Sequence, residues 1–332
     1  MPTAAAKSTI HVIGTGSYVP AQILTNHDLE KMVETSDEWI TTRTGIKERH
    51  IASKQEATSD LAVKAAERAL QDAGVKGDEI DLIIVATATP DMFFPSTACF
   101  VQRRLGLKET VSFDVSAACS GFIYALQAAE ALLRAGVYKT ALVIGAEKLS
   151  SITNWEDRST CVLFGDGAGA AVLQRRPLPG GILSTYVCSD ATHTDILNVP
   201  GGGSRAPATV DVVQKKLNTI HMEGREVFKL AVHKMLSAAE HALKLAGKKQ
   251  RDLALLIPHQ ANLRIIEAVA GRVDLPRDRV FVNVDKYGNM SAATTIVALD
   301  EARRQGRVRK GDLVELIAFG AGLTWGAAVI QF

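Results

Sequence analysis

The sequence has few of the residues that define a disulfide-bonded or metal-binding protein. Only 5% of its 332 residues are aromatic, and four are cysteine: Cys99, Cys119, Cys161 and Cys188. Four cysteines in a chain of this length do not form a disulfide framework, and none of them stands in a C-x-x-C pattern. Because the eight histidines also lack the spacing of metal ligands, we expect no structural zinc site.

A dominant charge and long apolar runs are missing too. The 38 basic and 36 acidic residues give a formal net charge of +2, which offers no sequence-wide case for binding nucleic acid. The longest apolar candidates, such as 82–86, are strand-sized and far shorter than the roughly 20 residues that cross a bilayer. Residues 1–9 lack the apolar region of a signal peptide. We therefore expect a short N-terminal tail, no membrane association and a cytoplasmic protein.

What remains is an ordinary globular composition, 47% hydrophobic and 22% charged, with an internal repeat. Residues 65–74 (AAERALQDAG) and 238–247 (AAEHALKLAG) match at seven of ten positions. Each has the apolar spacing of a helix that ends at a glycine, and each is followed by Asp-Leu and an apolar strand. Each half offers a further short strand, over 111–115 and 279–284. We therefore predict a duplicated α/β architecture with mixed sheets packed between helices.

The two halves are predicted to meet in a segment rich in proline and glycine. Residues 175–218 contain RRPLPGG and VPGGGSRAPATV, which are typical of surface loops. We assign residues 1–178 to the N-terminal half and 179–332 to the C-terminal half. Two other glycine-rich runs do not favour NAD binding. The run at 14–20 lacks the third glycine of the dinucleotide fingerprint, and the run at 164–173 leads into a strand.

Cys119 is the cysteine whose surroundings suggest chemistry. The strand over 111–115 is followed by Ala118, Cys119 and Ser120, and then by a segment with apolar residues at helical spacing. Unpaired N–H groups and the macrodipole at a helix N-terminus favour a thiolate, so we expect the pKa of this thiol to be lowered. A small cysteine buried in the core explains the same context equally well.

Two polar residues follow predicted strands in the second half. His259 comes after the strand predicted over 253–257, and Asn289 after the strand predicted over 280–284. Alone, His259 is typical of a satisfied structural histidine and Asn289 of a helix N-cap or turn. Together with Cys119, however, each lies just past the carboxyl end of a strand, where open α/β sheets bind ligands. A thiol, a neutral imidazole and an amide suit acyl transfer followed by stabilisation of an enolate.

A further candidate is the run FGAGLTWG, residues 319–326, close to the end of the sequence. Its small residues allow backbone N–H groups to approach a ligand closely, as an oxyanion hole requires. A tight glycine hairpin accounts for the same run equally well.

In this order, these motifs resemble the β-ketoacyl-[acyl-carrier-protein] synthase III family of thiolase-like condensing enzymes. The resemblance runs nearly end to end and includes GTGSYVP, TSDEWITTRTGIKERHI, FGDGAGAAVL, PHQANLRII, YGNMSAATT and FGAGLTWG. It implies a five-layered αβαβα fold, a homodimer and no metal or redox cofactor. The implied reaction initiates type II fatty-acid synthesis: an acyl-CoA primer, acetyl-CoA or similar, condenses with malonyl-carrier protein and CO₂ is released.

By the same resemblance, Cys119 is the nucleophile, and its backbone N–H forms the oxyanion hole together with that of Ala321. His259 and Asn289 would hydrogen-bond the malonyl thioester carbonyl.

The resemblance also implies contacts with substrate and partners. Arg264 would meet the acidic acyl carrier protein, and Phe94 would reach across the dimer to close the acyl channel of the other subunit. Four residues would bind coenzyme A: Thr35, Trp39, Arg43 and Arg158. Three further cations either widen the basic patch of Arg264 or form an ordinary solvated face: Lys248, Lys249 and Arg251.

Three features depart from the family pattern. Ala321 stands where a third glycine is usual, Arg225 stands where a smaller polar residue is common, and the loop at 200–215 is long. Because of these departures, the sequence does not identify the acyl group of the primer. One alternative is a specialised homologue of secondary metabolism that uses a long or aromatic primer or transfers acyl groups without condensing them. A remote alternative is a Cys-His thioesterase or hydrolase.

Overall fold

The computed structural model describes residues 9–273 and 275–332. Most of the predicted N-terminal tail, residues 1–8, lies outside these ranges. Within them, every helix is too short or too polar to span a bilayer.

The described chain is a mixed α/β structure with short 3₁₀ helices at several turns. The strands are β1 (Thr9–Tyr18), β2 (Gln22–Thr25), β3 (Glu48–Ile51), β4 (Leu82–Ala86), β5 (Val111–Val115), β6 (Thr140–Lys148), β7 (Asp166–Arg176), β8 (Gly181–Ser189), β9 (Leu197–Asn198), β10 (His221–Met222), β11 (Leu255–Pro258), β12 (Leu313–Gly320) and β13 (Thr324–Gln331). The α-helices are α1 (Asn26–Leu29), α2 (Asp37–Thr44), α3 (Thr58–Ala73), α4 (Thr97–Arg104), α5 (Gly121–Arg134), α6 (Val210–Gln214), α7 (Gly224–Ala246), α8 (Leu263–Ala270), α9 (Val284–Tyr287) and α10 (Thr294–Arg304).

Two mixed sheets form the frame. The first has the strand order β1-β7-β6-β4-β5, and the second has the order β11-β12-β13-β8. In the first sheet β4 is parallel to β5 and β6, and in the second β11 is parallel to β12; the remaining pairs are antiparallel. The first sheet ends at Arg176 and the second begins at Gly181.

The helices and sheets stack in five layers. Helices α5 and α10 lie between the sheets, α3 and α4 cover the outer face of the first sheet, and α7 covers that of the second. Strand alternation produces this arrangement: Leu82 and Ile84 join the central core, whereas Ile83 and Val85 join the core under α3. The predicted duplicated, thiolase-like αβαβα fold is confirmed.

The division of the chain at residue 178 stays a prediction, because the halves interleave. Helix α10, from the C-terminal half, packs on β1 and β7. Its Asp300 accepts hydrogen bonds from the side chains of Thr15 and Ser17, each at 2.7 Å.

The predicted repeat lies in α3 and α7. Each helix ends at a glycine in the left-handed conformation, with φ of 64° at Gly74 and 65° at Gly247. The predicted strands over 82–86 and 111–115 have the expected bounds, and the one predicted over 253–257 is β11. The predicted loop segment 175–218 is only partly correct, since it contains β8 and α6.

The strand predicted over 279–284 is wrong. Only Val280 forms a bridge, with Leu256 of β11, and Val284 already begins α9. A buried side chain makes the hydrogen bonds that a neighbouring strand would otherwise make with this segment. The Gln260 amide donates to the carbonyl of Phe281 at 3.1 Å and accepts from the N–H of Asn283 at 2.9 Å, so it takes the place of a strand partner.

Candidate active site

The nucleophile candidate lies in a tight turn between β5 and α5. Cys119 is the middle residue of a 3₁₀ helix, Ala118–Ser120, and the residue before it, Ala118, has a φ of 44°. A non-glycine residue in the left-handed region is strained, and such strain persists only where the surroundings hold it in place.

The expected lowering of the Cys119 pKa is wrong. Burial raises the pKa of the thiol to about 12, although hydrogen bonds from the Ser291 side chain and from its own backbone N–H oppose the shift. Cys119 itself is only partly buried and lines the cavity, so this shift describes the empty site.

His259 follows β11 and is almost completely buried. Its backbone N–H donates to the carbonyl of Ile317 in β12 at 2.8 Å, which fixes its place at the sheet edge. Burial lowers the pKa of the imidazole to about 3, so the ring is neutral at neutral pH.

The ring is oriented by Thr294, whose hydroxyl oxygen lies 2.5 Å from His259 Nδ1. The same hydroxyl is 3.1 Å from the carbonyl of Ser291. A carbonyl can only accept, so in this arrangement Thr294 donates to Ser291 and Nδ1–H of the ring donates to Thr294. When the Thr294 hydroxyl turns its proton to Nδ1 instead, the neutral ring carries its proton on Nε2, where it can donate.

Asn289 follows α9 rather than a strand. Its side-chain oxygen accepts from the backbone N–H of Ser291 at 2.8 Å, which leaves the amide nitrogen as a donor. Its backbone is held from both sides: its N–H donates to Leu163 at 2.8 Å, and its carbonyl accepts from Gly165 at 3.1 Å. The glycine-rich run at 164–173 thus supports the Asn289 loop.

The run at 319–326 is a hairpin and also approaches the nucleophile. It forms the end of β12, the turn 321–323 and the start of β13. Thr324 ties it to the nucleophile turn, since its hydroxyl donates to the carbonyl of Ala117 at 2.9 Å and its carbonyl accepts from the Ser120 hydroxyl at 3.0 Å. A Cβ at Gly320 would lie 2.6 Å from the backbone nitrogen of Cys119, so only glycine fits there.

These groups line one cavity of about 970 Å³. Its lining includes Cys119, His259, Asn289 and Ala321. Two aromatic side chains and three arginines also line it: Trp39, Phe228, Arg43, Arg225 and Arg264. Of these, Trp39 and Arg43 are predicted to bind coenzyme A, and Arg264 is predicted to bind the carrier protein. Thr35, Arg158 and Phe94 do not line it.

Trp39 carries two guanidinium groups beside its ring. Arg43 Cζ lies 4.7 Å and Arg158 Cζ 5.2 Å from the ring centroid. Arg158 also donates to the carbonyl of Glu34 at 2.9 Å. A nucleobase inserted between Trp39 and Arg158 therefore requires Arg158 to move. The neighbouring Thr35 hydroxyl is buried without a hydrogen-bond partner.

Arg264 stands in the first turn of α8, exposed, with its guanidinium carbon 6.0 Å from the ring of Phe228 in α7. Of the two alternatives for the basic cluster at 248–251, a wider patch or an ordinary solvated face, the position of α7 favours the second. That cluster follows the C-terminal end of α7, roughly 30 Å along the helix from Phe228 at 1.5 Å per residue.

Phe94 lies in the loop after β4 and is 83% exposed, as is its neighbour Phe93. The loop at 200–215 is bordered by β9 and β10, whose residues Leu197, Asn198 and Met222 line the cavity.

Three residues of the site were not singled out from the sequence: Glu147, Ser291 and Thr294. A signal existed for the first, since Glu147 is an acidic residue at the end of the otherwise apolar run TALVIGAEK. The other two lie in the YGNMSAATT motif but have no spacing that distinguishes them from helix-capping residues.

Two protein-family models match the chain. The model described as 3-oxoacyl-[acyl-carrier-protein (ACP)] synthase III matches residues 113–191, and the model described as the C terminal of the same synthase matches residues 243–332. The chain is 58% identical over 321 residues to the β-ketoacyl-[acyl-carrier-protein] synthase III of Caldanaerobacter subterraneus subsp. tengcongensis, with 97% of each chain covered.

Solved structures agree with these matches. The crystal structure of 3-oxoacyl-[acyl-carrier-protein] synthase III from Aquifex aeolicus is 50% identical, has a TM-score of 0.91 and covers 98% of this chain and 100% of that one. A priming β-ketosynthase from a polyketide biosynthetic pathway is 35% identical, has a TM-score of 0.90 and covers 99% of this chain and 98% of that one.

The five layers, with a cysteine turn facing a cavity at their centre, define a thiolase-like condensing enzyme. Within that class, the chain belongs to the β-ketoacyl-[acyl-carrier-protein] synthase III family, and it is an acyltransferase of that family.

Proposed function

We propose that this chain initiates type II fatty-acid synthesis by condensing an acyl-CoA primer, acetyl-CoA or similar, with malonyl-acyl carrier protein. The products are 3-oxoacyl-carrier protein, CO₂ and CoA. The observation that carries the proposal is one cavity lined by a thiol, Cys119, and by two neutral hydrogen-bond donors, His259 and Asn289.

In the first half-reaction, the sulfur of Cys119 attacks the thioester carbonyl of the primer. The backbone N–H groups of Cys119 and Ala321 hold the resulting oxyanion. The close approach at Gly320 and the hydrogen bonds of Thr324 support this pairing. Loss of one such donor typically costs on the order of 10²–10³ in rate.

In the second half-reaction, malonyl-carrier protein loses CO₂ and leaves an enolate on its thioester oxygen. Nε2–H of His259 and the amide of Asn289 donate to that oxygen. Both donors are neutral, and both are fixed by a partner behind them, Thr294 and the N–H of Ser291. Fixed donors stabilise developing charge without reorganisation. The carbanion then attacks the acyl-Cys119 carbonyl.

This scheme uses only groups of the chain and its two substrates, so we propose that no metal or redox cofactor takes part. Trp39, Arg43, Arg158 and Thr35 would bind coenzyme A at the cavity mouth. The cation–π contacts of Trp39 support stacking on a base.

We place the acyl carrier protein at Arg264, where an exposed guanidinium beside the cavity suits an acidic partner. The exposed Phe93–Phe94 pair supports a homodimer, because an exposed apolar patch often marks a surface that another protein chain covers. Phe94 would then close the acyl channel of the other subunit. A cytoplasmic location stays a prediction.

A specialised homologue of secondary metabolism is the second candidate. The polyketide priming synthase has nearly the same TM-score as the Aquifex relative, so the fold does not separate the two functions. Ala321 adds a methyl group beside the acyl site, which bears on primer choice. A thioesterase fits less well, because hydrolysis has no use for the paired donors His259 and Asn289.

The test is intact-protein mass after incubation with acetyl-, branched, medium-chain and aromatic acyl-CoAs, beside Cys119→Ala. An acetyl or short branched adduct that the variant lacks, together with CO₂ release from malonyl-carrier protein, supports the initiating synthase. An adduct only with long or aromatic groups favours the specialised homologue. No adduct in the wild type, or an adduct in the variant, contradicts the nucleophile assignment.

A further inference from the structure

The largest fully buried side chain of the described residues is a cation, Arg49 of β3, which has no part in the scheme above. Its guanidinium donates only to uncharged oxygen atoms: the carbonyl of Leu24 at 3.1 Å, the side chain of Asn26 at 2.9 Å and the carbonyl of Val162 at 2.7 Å. No Asp or Glu within residues 9–273 and 275–332 forms an ion pair with it. Burying a charge without an ion pair is costly, which points to a use.

On one side, the guanidinium holds the part of the cavity wall that supports Asn289. Val162, which accepts its hydrogen bond, and Leu163 both line the cavity. The carbonyl of Leu163 accepts the backbone N–H of Asn289 at 2.8 Å, so adjacent residues bind Arg49 and Asn289. A Cβ at Gly288 would lie 2.7 Å from the carbonyl oxygen of Leu163 and 3.3 Å from the Cβ of Arg49. Arg49 therefore packs against the backbone that carries the Asn289 amide.

On the other side, the guanidinium is linked to α2, the helix that carries two of the residues proposed to bind coenzyme A. Asn26 accepts from Arg49 through Oδ1 and donates through Nδ2 to Oδ1 of Asp37 at 2.8 Å. The same Nδ2 donates to the carbonyl of Ile46 at 2.8 Å. Asp37 is the first residue of α2, and Ile46 lies two residues beyond the last one, so Asn26 is bonded at both ends of the helix. Because Asn26 is fully buried, solvent does not compete for these bonds.

We propose that Arg49 is a positioning residue for both substrates. It fixes the Val162–Leu163 wall and thereby the Asn289 amide, which donates to the enolate. Through Asn26 it also seats α2, so that the helix is placed to bind coenzyme A. The inference rests on the proposed function, in which Asn289 acts in decarboxylation and α2 binds the primer.

The shape of the side chain explains why a cation stands at this position. Nη1 of Arg49 binds the oxygens of Leu24 and Asn26, and Nη2 binds that of Val162. A guanidinium presents five N–H groups in a rigid plane, so it can bind acceptors on two segments at once. A Lys ammonium has all its donors on one nitrogen, which cannot occupy both positions.

The test uses two pairs of variants. Arg49→Lys keeps the charge but loses the planar set of donors, and Arg304→Lys is its control. Arg304 also donates from Nη2 to a backbone carbonyl, that of Thr15 at 2.9 Å, but neither residue lines the cavity.

The second pair tests the link to α2 alone. Asp37→Ala removes the acceptor of Asn26 in the first turn of the helix. Glu38→Ala is the control, because it removes the same charge from the same turn without changing a partner of Asn26. Coenzyme A binding is measured by isothermal titration calorimetry, and acylation by single-turnover mass spectrometry with saturating acetyl-CoA. Decarboxylation is measured as CO₂ release from saturating malonyl-carrier protein.

We expect Arg49→Lys to lower the kcat of CO₂ release by at least about tenfold, toward the 10²–10³ of a lost donor, because the Asn289 amide shifts. Its affinity for coenzyme A should fall about tenfold, as one lost hydrogen bond would cause. Acylation at saturating acetyl-CoA should stay near the wild-type rate, because Cys119 is held by a separate turn. Asp37→Ala should lose coenzyme A affinity alone, and both controls should match the wild type.

Wild-type affinity and wild-type CO₂ release in Arg49→Lys would overturn the proposal. Equal losses in all three measurements would also overturn it, because a general loss of packing does not separate binding from the two half-reactions. If Arg49→Lys fails to fold, as shown by circular dichroism, Asp37→Ala carries the test. Wild-type affinity in that variant, or the same loss in Glu38→Ala, would overturn the link to α2. A wild type that acylates but releases no CO₂ contradicts the proposed function instead and leaves the comparison of coenzyme A affinities valid.

Discussion

Two corresponding turns, one from each half, meet at the cavity. In the N-terminal half, β5 leads into the 3₁₀ helix Ala118–Ser120 and then into α5. In the C-terminal half, the segment after Val280 leads through α9 into the 3₁₀ helix Ser291–Ala293 and then into α10. Both 3₁₀ helices begin with a non-glycine residue at a φ of 44°.

The turns differ in where their chemistry lies. The first carries its reactive group, Cys119, at its centre. The second has Ala292 at its centre and carries polar groups at its start and before it, Ser291 and Asn289. Because the two turns are in contact, one provides the nucleophile and the other surrounds it with hydrogen-bonding groups. Duplication thus allowed one backbone geometry to acquire two roles. Acylation should depend on the first turn, and decarboxylation on donors of the second half.

The largest expected effect is on the first turn itself. Cys119→Ala should lower both acylation and condensation by about 10⁴-fold or more, because the covalent intermediate cannot form. Cys188→Ala, which removes a half-buried thiol from β8, is the control and should match the wild type. The measurement is intact-protein mass together with formation of 3-oxoacyl-carrier protein. Condensation by Cys119→Ala at more than a trace would contradict the assignment of the nucleophile to the first turn.

The next largest effect should separate the halves. Asn289→Ala removes one of two donors to the enolate, so CO₂ release from malonyl-carrier protein should fall about 10²–10³-fold. The acylation rate of Cys119 in the same preparation is the internal control and should stay near that of the wild type. Equal losses in both half-reactions would show that the second turn does not act only in decarboxylation.

Two buried groups, one from each half, should respond to pH with opposite sign: His259 and Glu147. The pKa of His259 is lowered from 6.5 to about 3, so the unfolded state binds more protons and the free energy of unfolding rises with pH across that window. The pKa of Glu147 is raised from 4.5 to about 7, so the folded state binds more protons and the free energy of unfolding falls as pH rises through that window.

Single variants should therefore change the pH dependence of the free energy of unfolding in opposite directions. Glu147→Gln should gain stability relative to the wild type as pH rises from about 4.5 to 7, by about 1.4 kcal/mol per pH unit. His259→Gln should gain relative stability as pH falls from about 6.5 toward 3. Urea unfolding at a series of pH values measures both, and equal slopes in the two variants would contradict the opposed ionisations.

The smallest expected effect concerns the orientation of His259. Thr294→Val removes the hydroxyl at Nδ1, so CO₂ release should fall by up to about tenfold, the scale of one hydrogen bond, while acylation is unchanged. Thr295→Val is a matched control, since the neighbouring hydroxyl is buried without a partner. If both variants behave alike, Thr294 has no role in setting the tautomer.

Much of the frame could be predicted from local patterns. The strands over 82–86 and 111–115 are bounded by abrupt changes from apolar to polar residues, and glycines after α3 and α7 end those helices because they adopt the left-handed conformation. The strand predicted over 279–284 failed because its hydrogen-bond partner is a side chain, Gln260, from a distant segment. Apolar alternation does not reveal what occupies the neighbouring position in a sheet.

The candidate site was likewise predicted only in part. Residue type and order single out Cys119, His259 and Asn289, because few side chains can act as a nucleophile or as a neutral donor. The pKa of Cys119 could not be read from its turn: the helix N-terminus favours the thiolate locally, but burial beneath the other layers outweighs it. The separation of Arg264 from the basic cluster at 248–251 likewise depends on the length and direction of α7.

The sequence by itself determined the duplicated elements, the order of the motifs and the kinds of group available for chemistry, since these depend on neighbours along the chain. The tertiary structure alone decided which groups share one cavity and that burial raises the pKa of the nucleophile. Desolvation and hydrogen bonding act over a few ångströms in space, and in this fold the residues within that distance come from both sheets and from the helices between them.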